Sequence, residues 1–95
     1  MQVAGRDDYD ADGGASCTKL VEALPPQARA HVSLILHDKA THAWDVTLPF
    51  PMTFEDRYSY RGAGGPVEMT YDRSVTESAV AATVGFFKDA FARNR

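Results

Sequence analysis

The sequence predicts an α+β fold in which a four-stranded antiparallel sheet, made of two hairpins, packs one face against a long C-terminal helix. Four segments between residues 31 and 72 alternate apolar and polar side chains with the period of a strand. Apolar residues recur at helical spacing over residues 16–24 and over residues 75–93, which predicts a short N-terminal helix and a long C-terminal helix. The strands follow one another instead of alternating with helices, which is typical of α+β domains.

Length and composition indicate one small domain. The chain has 95 residues, of which 44% are hydrophobic and 24% charged, so it holds the material for one modest core. We predict a single domain over residues 16–95 and a disordered acidic tail over residues 1–15. The tail carries four aspartates and three glycines, with little apolar mass to offset the entropy lost on ordering.

The four strands are predicted to pair as two hairpins. In the first, residues 31–37 pair with residues 41–48 through a turn at residues 38–40, in a register that keeps apolar side chains on one face. In the second, residues 54–61 pair with residues 67–72 through a glycine-rich turn.

The long helix is predicted to begin at a capping box and to end near Arg93. In Ser74-Val75-Thr76-Glu77 the serine and the glutamate can each satisfy a free backbone N–H of the first turn. An apolar stripe on this helix is expected to face the sheet and to form the core. Its members are Val80, Val84, Phe87 and Phe91.

Charge and cysteine content argue against several classes of partner and location. The net charge is −3 and no segment clusters lysine and arginine, so we expect neither a nucleic acid nor a membrane surface as partner. No apolar run is long enough to span a bilayer, and the start of the sequence lacks the apolar stretch of a signal peptide. The lone Cys17 allows no intrachain disulfide, which favours a reducing, cytoplasmic location.

The acidic tail contains a partial calcium motif. Asp8-Tyr9-Asp10-Ala11-Asp12-Gly13 resembles the opening of an EF-hand calcium loop, which implies Asp8, Asp10 and Asp12 as ligands. The resemblance covers six residues, and Lys19 stands at the twelfth position, where the family has a bidentate glutamate. We therefore predict no metal site and no cofactor, with these aspartates as the weak alternative.

One polar pair among aromatic residues suggests chemistry. His42 and Asp56 fall on the predicted apolar faces of their strands, alongside Trp44, Tyr58 and Tyr60. Burial and mutual charge would shift the pKa values of such a pair toward general acid–base use. An enzyme or a small-ligand-binding domain with an aromatic pocket is therefore the alternative hypothesis. A buried polar pair with a purely structural role stays open beside it.

The favoured hypothesis is a non-catalytic protein–protein binding module. The back of the long helix is lined by small and weakly charged residues, which let another chain approach closely, and Phe86 widens its apolar surface. Small acidic inhibitors, antitoxin-like proteins and accessory chaperones are built in this way. We therefore expect a homodimer or a complex with a protein partner, bound through Ser78, Ala82, Gly85, Phe86, Asp89, Trp44, Tyr58 and Tyr60.

Overall fold

A pair of parallel strands forms the centre of the computed structural model, which describes residues 1–94. Strand β1 (Gln2–Arg6) and strand β2 (Ile35–Thr41) pair with Gln2 opposite Ile35. The connection between them contains helix α1 (Ala15–Glu22) and the short helix α2 (Pro26–Arg29). The first part of the chain is therefore a β–α–β crossover, the connection that parallel strands require.

Glycine at position 5 allows the two parallel strands to approach closely. The register slips between Ala4 and Arg6, and a Cβ atom on Gly5 would lie 2.5 Å from the carbonyl oxygen of Asp38. No side chain larger than hydrogen fits at that distance. The irregularity lies at the carboxyl end of β1, next to the loop that carries the candidate site.

The second part of the chain begins with a β-hairpin. Strand β3 (Met52–Asp56) runs antiparallel to strand β4 (Gly65–Met69), and a short turn, α3 (Ser59–Gly62), lies between them with left-handed backbone angles at Tyr60 and Arg61. The Val67 side chain is fully buried. Ser59 is also fully buried, and its hydroxyl lies 2.7 Å and 2.9 Å from backbone carbonyl oxygens at the ends of the two strands. The Ser59 side chain thus bridges the end of β3 and the start of β4 on the buried side of the hairpin.

The C-terminal helix, α4, spans Arg73–Arg93 and confirms the helix predicted there. Its N-cap is Asp72, whose carboxylate accepts a hydrogen bond from a first-turn backbone N–H at 3.0 Å. The predicted capping box at Ser74 is therefore wrong by two residues. Glu77 instead forms an ion pair with Arg73 at 2.9 Å, because these two side chains lie one turn apart.

Helix α4 meets the parallel sheet through its small residues and not through its apolar stripe. Ala79 is buried, and the Gln2 side-chain amide donates hydrogen bonds to the Ala79 carbonyl oxygen at 3.3 Å and to the Thr83 hydroxyl at 3.4 Å. The predicted core stripe is wrong, since its members are largely exposed: Val80 (58%), Val84 (46%), Phe87 (51%) and Phe91 (65%).

The predicted four-stranded antiparallel sheet is also wrong. Within residues 1–94 the strands form two separate two-stranded sheets, one parallel and one antiparallel. A second hairpin is present as β3 and β4, but its first strand ends at Asp56, so residues 57–61 belong to the connection and not to the predicted strand. In the first predicted hairpin, residues 38–40 continue β2 instead of turning. The chain turns later, where Ala43 adopts a positive φ of 57° and its carbonyl accepts the Val46 N–H at 3.0 Å.

Residues 1–15, predicted as a disordered tail, contain β1 and the loop that follows it. β1 gains its order from pairing with β2, and on one face Val3 lies beside Leu36 and Gly14. Pairing with β2 thus stabilises a segment whose own composition does not predict a strand.

The β3–β4 hairpin lies across the carboxyl ends of the two parallel strands. Arg6 and Glu68 form an ion pair at 2.9 Å, and the buried Thr41 hydroxyl accepts the Thr70 backbone N–H at 2.9 Å. These contacts fix the hairpin beside the loop after β1. Across residues 1–94, no helix combines the length and the hydropathy needed to cross a bilayer.

Candidate active site

An aspartate and a histidine meet at the carboxyl ends of the parallel strands. Asp7 directly follows β1 and His42 directly follows β2, so the parallel pairing brings them together. The His42 Nδ1 atom lies 3.0 Å from the Asp7 Oδ2 atom. The two side chains are 40% and 26% exposed, respectively, so solvent and small molecules can reach the pair. Open α/β sheets bind their ligands at this edge.

The geometry places a proton on one nitrogen of the imidazole. An ionised carboxylate only accepts hydrogen bonds, so Nδ1 is the nitrogen that donates to Asp7. When the ring is neutral, the other nitrogen, Nε2, presents a lone pair, and no group within residues 1–94 hydrogen-bonds it. A carboxylate that holds a histidine in this orientation is the arrangement that prepares imidazole to act as a base.

Tyr9 contacts both members of the pair. Its backbone N–H donates to the Asp7 Oδ1 atom at 3.0 Å, which leaves Oδ2 for His42. Its ring lies against the imidazole with the ring centroids 4.6 Å apart and the planes tilted by 55°. Its hydroxyl donates to the Asp56 Oδ2 atom at 2.7 Å.

Asp56 is held at the end of β3 by its own hydrogen bonds. Its Oδ1 atom accepts the Tyr58 backbone N–H at 2.9 Å. That hydrogen bond, followed by the one from the Tyr9 hydroxyl, lowers the pKa of Asp56 below its usual value. The same contact with the ionised carboxylate raises the pKa of Tyr9, which therefore keeps its proton and donates it.

The backbone after Tyr58 is strained where it meets the β1 loop. Tyr60 and Arg61 have φ values of 50° and 59°, in the left-handed region that non-glycine residues avoid. The Tyr60 N–H donates to the Asp8 carbonyl at 2.8 Å, and the Arg61 N–H to the Tyr9 carbonyl at 2.9 Å. Consecutive strained residues persist only where the surrounding contacts over-determine them, and such positions cluster at functional sites.

Asp12 anchors the far end of the loop. The Ser16 hydroxyl and then the Ser16 backbone N–H donate to its carboxylate, and together with the Gly14 N–H and Arg61 they lower the pKa of Asp12 to about 2. The Arg61 guanidinium lies 3.2 Å from this carboxylate, and the Asp12 side chain is only 6% exposed. Asp12 thus links the loop to α1 through Ser16 and to α3 through Arg61.

The aspartates of the calcium-like motif do not converge on a common point. Asp8 accepts the Glu68 backbone N–H at 2.8 Å, Asp12 binds Ser16 and Arg61, and Asp10 is exposed. Within residues 1–94, no group of three or more histidine, cysteine, aspartate or glutamate side chains is placed to hold a metal ion.

The structure brings the two residues of the enzyme hypothesis to one cluster, but not as a direct pair. His42 and Asp56 each contact Tyr9, whereas the direct partner of His42 is Asp7. Sequence reasoning missed Asp7 and Tyr9 because they lie in the segment predicted to be disordered. The one available indication is the short apolar run Val3-Ala4-Gly5 just before the aspartates, which is long enough for a strand.

Four of the predicted binding residues line one open cleft. Ala82, Gly85, Phe86 and Asp89 lie beside the segment 31–35 around a volume of about 680 Å³. Ser78 does not line this cleft.

The predicted aromatic residues lie apart from one another. Trp44 lines a second cleft, of about 670 Å³, beside Ala79 and Val80 of α4. Tyr58 is 63% exposed beneath the Arg57 guanidinium, and the Tyr60 hydroxyl donates to the Pro66 carbonyl at 2.8 Å.

Comparison with known proteins yields no match. No protein-family model fits the chain, and no curated protein or solved structure is significantly similar to it. The chemistry of the site is therefore the basis for a function.

Proposed function

We propose that the chain carries the acid–base part of a hydrolytic site, in which His42 is the general base and Asp7 orients it. The observation that supports this most directly is the 3.0 Å contact between His42 Nδ1 and Asp7 Oδ2, with Nε2 left open. Its place at the carboxyl ends of two parallel strands adds support, since ligands of open α/β sheets bind there.

The chemistry follows from the orientation of the ring. The Nε2 lone pair accepts a proton from an attacking O–H group, and the Asp7 carboxylate stabilises the imidazolium that forms. The same proton then passes to the leaving group. In α/β-hydrolases the acid also precedes the histidine in the chain, with both at this edge of the sheet. The nucleophile in this proposal is a water molecule that gives its proton to Nε2.

Hydrolysis of p-nitrophenyl acetate tests this proposal without a known substrate. His42 would remove a proton from a water that attacks the acetyl carbonyl, and p-nitrophenolate would leave and absorb visible light. Because this leaving group departs as an anion, the imidazolium would then release its proton to solvent. We expect His42→Gln to lower the protein-dependent rate at least about tenfold, and Asp7→Asn to lower it as well.

His31→Gln and His37→Gln are the matched controls. His31 is exposed and lies outside the cluster, while the His37 Nε2 atom is occupied by the Gln2 side-chain carbonyl at 2.6 Å. Both variants should keep the wild-type rate. Equal rates for His42→Gln and the wild type would contradict the proposal.

A second candidate function is self-association through α4, as a protein–protein binding module. Val80, Val84, Phe87 and Phe91 are spaced by four, three and four residues, which is the spacing of a coiled-coil seam, and they are 46–65% exposed. An identical seam on a second copy would cover them by two-fold packing. The same proposal includes a cytoplasmic location, which the free Cys17 supports. It also includes no nucleic-acid partner, which the negative net charge supports.

A further inference from the structure

We infer that Tyr9 and Asp56 are positioning residues for His42, through which the β3–β4 hairpin fixes the imidazole against Asp7. This inference rests on the proposed function, since it assigns a role to the groups around the same base. It adds a structural link between the acid–base pair and a hairpin that supplies neither member of that pair.

Tyr9 is the one residue of the cluster that contacts both Asp7 and His42. Its backbone N–H fixes one oxygen of Asp7, and its ring covers part of the imidazole at a centroid distance of 4.6 Å. A histidine ring rotates in a broad, roughly two-fold well about χ2, so a single hydrogen bond restrains it weakly. With its side chain 40% exposed, His42 needs a second contact to keep Nδ1 directed at Asp7, and the Tyr9 ring supplies it.

Asp56 keeps the Tyr9 ring in that place. One of its oxygens accepts the Tyr9 hydroxyl at 2.7 Å and the other accepts the Tyr58 N–H at 2.9 Å, so the carboxylate cannot turn away without losing both. The Asp56 carbonyl also accepts the buried Ser59 hydroxyl at 2.7 Å. The Tyr9 hydroxyl is therefore hydrogen-bonded to a residue that is itself held by the Tyr58 N–H and by the Ser59 hydroxyl.

The strained turn holds the hairpin against the loop. Tyr60 and Arg61 donate their backbone N–H groups to the carbonyls of Asp8 and Tyr9, at 2.8 Å and 2.9 Å. Their left-handed φ values show that the contacts with the loop outweigh the intrinsic preference of these residues. The distance between Tyr9 and Asp56 is thus set by the backbone as well as by the side chains.

The test is ¹⁵N NMR of the full chain labelled at histidine, combined with the p-nitrophenyl acetate assay. The two ring nitrogens have separate shifts, so the spectrum gives the tautomer of each histidine. We expect His42 to be in the Nδ1–H form and His37, which donates from Nε2 to Gln2, in the opposite form. Because His37 lies outside the cluster, its unchanged signals confirm in each variant that the parallel sheet is intact.

Tyr9→Phe removes only the hydroxyl, whereas Asp56→Ala removes the carboxylate that accepts both this hydroxyl and the Tyr58 N–H. We expect both to mix the two tautomers of His42 and to lower the esterase rate about tenfold, with the His37 signals unchanged. Asp56→Asn keeps an acceptor oxygen and should recover most of the wild-type spectrum. Thr53→Ala, on the exposed part of β3, is the control and should change neither readout.

The outcomes separate this inference from the proposed function. If Asp7→Asn and His42→Gln lower the rate while Tyr9→Phe and Asp56→Ala leave the His42 tautomer and the rate unchanged, the positioning role is overturned and the proposed function stands. If His42→Gln leaves the rate unchanged, the proposed function fails. A shift of the His42 tautomer in Tyr9→Phe would then still support the structural link.

Discussion

At the residue scale, three of the four aspartates in the β1 loop accept hydrogen bonds from groups within the chain: Asp7, Asp8 and Asp12. Asp7 accepts hydrogen bonds from Tyr9 and His42, and Asp12 accepts them from Gly14 and Ser16. A carboxylate used in this way favours the folded state only while it is ionised. Protonation of Asp12, whose pKa is lowered by these hydrogen bonds, should therefore destabilise the folded chain.

We expect Asp12→Asn to flatten the dependence of stability on acid pH. The pKa of Asp12 is about 2 in the folded chain against a usual value of 3.8, so its stabilising contribution is present above 3.8 and is lost as the pH falls through 2. Urea denaturation should find the variant less stable than wild type at about pH 5, and the difference should be much smaller at about pH 2. The exposed Asp10→Asn is the control, and a constant difference between Asp12→Asn and wild type would contradict this explanation.

The site could be predicted from sequence only where a strand pattern marked its residues. His42 and Asp56 stood out because each interrupts an apolar alternation. Asp7 and Tyr9 did not, because their segment looks polar and flexible by composition and is ordered only by pairing with a strand far along the chain. Local patterns carry no information about such a partner.

At the element scale, periodicity located helix α4 but not the face that it turns to the sheet. Its apolar stripe and its small-residue face have the same period, and burial decides between them only once the neighbouring element is known. Here the neighbour is the Gln2 side chain on β1, which reaches backbone and hydroxyl groups near Ala79. Alternation also misled the prediction for β2, since it is typical of antiparallel strands with one solvated face, whereas β2 pairs in parallel with β1.

The start of α4 offers a direct comparison between the predicted and the observed cap. Asp72→Ala removes the carboxylate that accepts a first-turn N–H, and we expect it to lower the free energy of unfolding by about 1 kcal/mol. Ser74→Ala, at the position predicted from the capping box, should change it by less than about 0.5 kcal/mol because the residue is exposed on the first turn. Thermal or urea unfolding measures both, and the reverse order would favour the predicted cap.

At the scale of the whole molecule, the chain is flat and leaves apolar surface uncovered. It measures 48 × 31 × 16 Å, with a radius of gyration of 15.5 Å, against about 13 Å for a compact domain of 100 residues. The large exposed side chains of α4 add to an open cleft beside β2. Soluble monomers rarely expose connected apolar surface of this kind, which supports the second candidate function.

Mutations can distinguish self-association through the seam of α4 from non-specific hydrophobic association. We expect the full chain to be a dimer by light scattering after size-exclusion chromatography, and Val84→Glu with Phe87→Glu to make it monomeric, because buried charges oppose an apolar interface. Phe50→Glu changes a residue that is 64% exposed but lies outside the seam, and it should leave the dimer intact. A wild-type monomer at all concentrations would rule out this candidate.

The four groups of the candidate site are spread over residues 7–56, and they come from two sheets that share no strand. A short peptide cut from any one stretch would carry at most two of them. Transplanting the site into another scaffold would therefore mean copying the ends of β1 and β2 together with the tip of the hairpin, at their present distances. What such a graft would inherit is a spatial arrangement and not a linear motif.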